Sequence, residues 1–128
     1  MKYYIEKITN YTFDQAVEKV TDELKKEGFG VLTQIDIHDK LKEKLDVDFR
    51  KYRILGACNP PAAYQALQAE DKIGTMLPCN VIVQETLDKK VEVAAVNPIA
   101  SMMAVENQKL ATIAEDITSR LERVIAAV

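Results

Sequence analysis

The chain's only two cysteines each stand immediately before an asparagine, in Gly56-Ala57-Cys58-Asn59-Pro60 and in Leu77-Pro78-Cys79-Asn80-Val81. Thiols at such places can do four things. They can be small buried hydrophobes, the commonest state of a free cysteine. They can hold a metal. Zinc wants four ligands, and the chain offers Cys58, Cys79 and its single histidine, His38, on separate elements and without a Cys-x-x-Cys pair. A carboxylate, a water or a second subunit would have to complete the set. They can carry redox or sulfur-transfer chemistry, which needs an electropositive setting or a helix N-terminus. Cys58 just precedes the helix that Pro60 opens, so the helix dipole points favourably. Finally, one could be a hydrolase-like nucleophile with His38 as base, for which the spacing offers no support. No catalytic signature emerges, and no cofactor is named by these residues.

The asparagines divide differently. Asn59 and Asn97 each precede a proline and read as helix N-caps. Asn80 lies inside the strand-like run Cys79–Glu85, where asparagine is disfavoured and must find hydrogen bonds if buried. His38 reads as a helix-entry or surface residue.

The elements that would position these groups follow from periodicity. Tyr3–Ile8 reads as a strand. Thr12 and Gln15 form a capping box before an apolar helical face of Phe13, Ala16, Val17, Val20 and Leu24, which Gly28 ends. Phe29–Ile37 alternates as a half-buried strand, and a short polar helix follows, pinned by Leu41 and Leu45. Tyr52–Cys58 is a third strand, a short helix follows Asn59, and Cys79–Glu85 and Val91–Val96 form a hairpin. If the third and fourth strands are antiparallel neighbours, the end bearing Cys58 adjoins the start bearing Cys79. Tyr52, Ile54, Gly56 and Cys58 share one face; Cys79, Val81 and Val83 share one face. If these are the same buried face, both thiols border the core, and Gly56 leaves space beside Cys58 where a small ligand or another backbone could approach. The expected ligand site is therefore Cys58, Asn59, Cys79 and Asn80, reached by Met102, Met103 or Glu106 from the start of the last helix.

That last helix is expected to run unbroken from Pro98 to Val128. Met103, Leu110, Ile117 and Val124 recur every seven residues, with Ala114, Leu121 and Val128 as companions and Asn107 as the polar member. Such a stripe fits a helix lying across the open face of the sheet, or one of which a part extends to meet a partner; Ile99, Met102, Ile113 and Ile125 widen it beyond what one small sheet covers, so a homodimer is expected. The whole reads as an α+β domain over residues 1–128. Its mostly antiparallel sheet has about five strands, with helices on one face and a long C-terminal helix.

Bulk properties narrow the function classes. The 128 residues are 48% hydrophobic, enough for one real core, and the formal net charge is −3. An acidic balance argues against a general nucleic-acid binder, and Arg50-Lys51-Tyr52-Arg53 reads as a solvated strand edge. No leader pattern is visible and no window approaches a membrane span, so a cytoplasmic protein with reduced thiols is expected.

The segments Tyr52–Leu67 and Ile73–Glu85, together with Gly28–Ile37, Leu41–Pro60 and the helix after Val96-Asn97-Pro98, resemble the cysteine-containing branch of the domain-of-unknown-function 302 family. The resemblance implies a β-α-β(4)-α fold like half of the TATA-binding protein, and dimers. It supplies no activity. Relatives that lack both cysteines imply that thiol chemistry is not what the family shares. The reading is a cytoplasmic homodimeric binding or accessory domain with a small-ligand site at the Cys-Asn segments; the alternative is a thiol-dependent protein handling sulfur, oxidant or metal.

Overall fold

The computed structural model describes residues 1–128. Five strands form one antiparallel sheet: β1 (Tyr4–Thr9), β2 (Gly30–Asp36), β3 (Tyr52–Cys58), β4 (Cys79–Glu85) and β5 (Val91–Val96). Their order is β1-β5-β4-β3-β2, so β2 and β1 are the edges. Five helices complete the chain: α1 (Phe13–Lys26), α2 (Ile37–Leu45), α3 (Pro60–Ala69), α4 (Pro98–Ser101) and α5 (Gln108–Ala127), with a 3₁₀ turn over Asp71–Met76.

Local chemistry explains most boundaries. Thr12 and Gln15 form the reciprocal capping box at α1. Gly28 takes φ +86° just beyond that helix, a conformation L side chains rarely adopt. Asn59 and Asn97 cap α3 and α4 through bonds accepted from Ala62 N–H and Ile99 N–H, with proline in the first helical turn of each.

The core lies on one face of the sheet. Leu55, Ala57, Val81, Val83, Val93 and Ala95 are buried there beneath α1 and α5. α1 contributes Ala16, Val20 and Leu24; α5 contributes Ile117, Leu121 and Val124. Arg123 of α5 holds the Glu27 carboxylate at 2.9 Å, tying the two helices together; that bond keeps the Glu27 carboxyl below its usual value. Lys7 donates to the carbonyls of Ala126 and Val128, favourable for the negative end of α5.

Three expectations fail. The C-terminal helix is broken. After α4 the chain turns, and Asn107 restarts it as an N-cap, accepting from Lys109 N–H while its amide donates to Ala69 O and Glu70 Oε1. The stripe lies within the chain's own fold: Leu110, Ala114, Ile117, Leu121, Val124 and Val128 are all buried, whereas Met103 is 70% exposed outside any helix. The second strand is an exposed edge with a bulge between Val31 and Thr33, not a half-buried strand. Finally, α2 buries none of its residues, and Leu45 is exposed.

Candidate functional site

Strands β3 and β4 are antiparallel neighbours, as expected. Their register sets Ala57 opposite Cys79 and Gly56 opposite Asn80. Residues directly opposite share a face. Cys79 therefore joins Leu55, Ala57 and Val81 on the core side, whereas the strand positions of Gly56 and Asn80 belong to the outer side. The condition that the Cys58 and Cys79 series share one buried face is therefore not met. Gly56 does not leave free room either: a Cβ built on it would overlap Thr33 Oγ1 and lie 2.8 Å from Pro78 Cγ.

Both free thiols nevertheless border one cavity, because β3 ends at Cys58 and the chain turns into α3. The cavity has a volume of about 290 Å³. Its sides are the ends of β3 and β4, the inner face of α3 and the middle of α5. Ala62, Ala63 and Ala66 of α3 leave the space that larger side chains would fill. Ile113 and Ile117 of α5 close it opposite. Met102, from the turn between α4 and α5, also lines it. Leu32, beside the β2 bulge, and Leu67 stand exposed at its margin.

Fourteen of the seventeen lining residues are hydrophobic, and Asn59 is the one with a polar amide. That amide is already committed: its oxygen accepts from Ala62 N–H and its nitrogen donates to Glu27 O. The wall thus presents hydrocarbon and two thiols. Burial, with a smaller contribution from the neighbouring Cys58 charge, pushes the Cys79 thiol up to about 11. At neutral pH Cys79 is a protonated thiol and a poor nucleophile.

The other sequence-derived residues lie elsewhere. Asn80 is exposed on the outer sheet face, which also explains how a strand asparagine is satisfied. Glu106 and Met103 line a separate depression with Leu110 and Ala111. His38 sits at the opposite end of β3 from Cys58, about 20 Å away along six strand residues, where its Nδ1 accepts from Tyr52 N–H. The residues grouped around it are Asp36 and Asp39, not the cysteines, and Asp36 is paired with Arg53 at 2.6 Å. The Cys58, Cys79 and His38 set is therefore not brought together. Sequence reasoning missed the alanine face of α3; its i, i+1, i+4 spacing at Ala62, Ala63 and Ala66 was the available signal.

Comparison with known proteins agrees with this architecture. The family model described as domain of unknown function DUF302 matches residues 5–128. The chain belongs to the DUF302 family. A crystal structure of an uncharacterized conserved DUF302 protein from Bacillus stearothermophilus superposes with a TM-score of 0.92 at 28% identity, covering 99% of this chain and 98% of that one. No curated protein matches the chain. The α+β fold of the DUF302 family, with its five-stranded antiparallel sheet and C-terminal helix, is thus shared with a solved relative. No helix of the chain is long and apolar enough to cross a membrane.

Proposed function

We propose that this DUF302 domain is a binding module for a small apolar ligand, held in the cavity bordered by Cys58 and Cys79. One observation carries the reading: a cavity of about 290 Å³ whose single polar side chain, Asn59, already bonds the backbone through both ends of its amide. A polar ligand would lose its water there without compensation, whereas burying hydrocarbon contributes about 25 cal/mol per Å². At roughly 30 Å³ per water-sized atom group, the space takes about ten non-hydrogen atoms. The protein's part is selection and shielding, with no reaction step assigned. Thiol-dependent chemistry has less support: the raised Cys79 value disfavours thiolate, and His38 stands too far off to act as its base.

The test is titration with toluene, which cannot alkylate the two thiols, followed by methyl NMR. Saturating shifts should concentrate on the methyls of Ala63, Ala66, Met102 and Ile113, and Ala63→Leu should abolish them. Shifts that never saturate, or that persist in Ala63→Leu, would overturn the assignment.

A further inference from the structure

Sulfur is concentrated at one place in this chain. Both cysteines and one of the four methionines, Met102, border the apolar cavity. They reach it from separate segments: Cys58 from the end of β3, Cys79 from the start of β4 and Met102 from the turn after α4. Phe29, just before β2, is the one aromatic ring of the wall and is itself buried.

Such a wall is not equivalent to hydrocarbon. A thiol or thioether sulfur is polarizable and packs favourably about 5 Å from an aromatic ring, often at its edge. A second ring beside Phe29 gains from the quadrupoles of both when the two meet offset or edge to face. Cys79, which burial keeps as S–H, offers a weak donor to a π face. A saturated ring of the same size gains none of these. It gains burial alone, and burial ranks it ahead of an aromatic ring, whose π face keeps some attraction for water.

We infer that the ligand of this cavity is a single aromatic ring with short apolar substituents, chosen over saturated hydrocarbon by the sulfurs of Cys58, Cys79 and Met102 and the ring of Phe29. This selectivity rests on the cavity's being a site for apolar molecules, and adds the chemical class. Size agrees. About 290 Å³ holds one six-membered ring with a few further carbon atoms, at roughly 30 Å³ per atom group. Polarity agrees too. The Asn59 amide is engaged at both ends, so a phenol or aromatic acid that entered fully would leave its oxygen unpaired.

The deciding quantities are the dissociation constants of toluene and methylcyclohexane, each corrected for that compound's partition between water and hexadecane. On that scale toluene should bind about tenfold more tightly. Met102→Leu, nearly equal in volume, should cut the preference about threefold and leave methylcyclohexane binding within about a factor of two. Should that variant not fold, Cys58→Ala, at the half-buried end of β3, gives the same comparison. Equal corrected affinities, or a preference for methylcyclohexane, would overturn the aromatic assignment and leave the cavity as a general apolar site. A toluene preference unchanged in both folded variants would overturn it as well, since sulfur would not be its source. Binding of neither compound would remove the apolar site and the aromatic assignment together.

Discussion

A thiol's neighbours decide what it can do, and Cys79 shows this in a measurable way. Its folded value of about 11 lies above the ordinary 9.0 because burial disfavours thiolate. Folding thus favours the protonated form. The contribution to stability is whole below about pH 9 and is lost as pH rises toward 11. The loss amounts to about 2–3 kcal/mol, since each tenfold change in an ionisation equilibrium is worth about 1.4 kcal/mol. Denaturant unfolding at pH 8 and pH 11 should show this as a fall that Cys79→Ala shares only in part, the remainder including loss of the Lys19–Glu23 pair, which holds the Lys19 ammonium above its usual value. Equal falls in both proteins would show that Cys79 does not titrate in the folded chain as its surroundings require. The same residue marks what sequence could and could not supply. The antiparallel pairing of β3 with β4 was legible, because the short connection between them and the hairpin that follows favour it. The face of each side chain was not, because a one-residue choice of register inverts it. Nothing in Gly56-Ala57-Cys58 declares that Ala57, and not Cys58, stands opposite Cys79.

Elements were legible where the signal was local. The Thr12 capping box, the Gly28 stop and the Asn-Pro starts all act within one turn of chain, and each stands where the residues put it. The break before α5 was not legible, because its cause is distant: Asn107 leaves the helix to bond Ala69 and Glu70, more than thirty residues away. A heptad-like stripe could equally serve a partner helix or the chain's own sheet, and periodicity does not distinguish the two. Packing does. Leu121 is fully buried against the sheet, whereas Met103, nominally in the same stripe, is mostly exposed. Leu121→Ala should therefore cost about 2–5 kcal/mol by chemical denaturation. Met103→Ala should change stability by no more than about 0.5 kcal/mol, as surface substitutions do. A large loss at Met103, or a small one at Leu121, would mean that the stripe faces something other than this core.

At the scale of the molecule, the sheet separates two surfaces of different character. One face is covered by α1 and α5 except where the alanines of α3 leave the cavity; the other carries Ile35, Ile54 and Ile82 in cross-strand register, partly exposed. A ligand in the cavity touches β3, β4, α3 and α5 together, so its binding energy adds to the stability of the whole fold and not to one loop. At a free concentration of a hundred times its dissociation constant, a ligand that binds only the folded chain contributes about 2.7 kcal/mol. Unfolding entropy near about 2.1 cal/mol/K per residue, taken over 128 residues, converts this to a rise in Tm of about 10 °C. Calorimetry with toluene should show that rise in the wild type. Ala63→Leu, which places its own carbon atoms in the space, should show none of it. Its unliganded Tm should be unchanged or higher, since filling an apolar void on a helix commonly stabilises by about 0.5–2 kcal/mol. Ile82→Arg, altered on the far side of the sheet, should keep the full ligand-induced rise. Loss of that rise in Ile82→Arg with the fold intact would show that the two faces are coupled through β3 and β4, contrary to their separation by a close-packed layer of Leu55, Val81 and Val83.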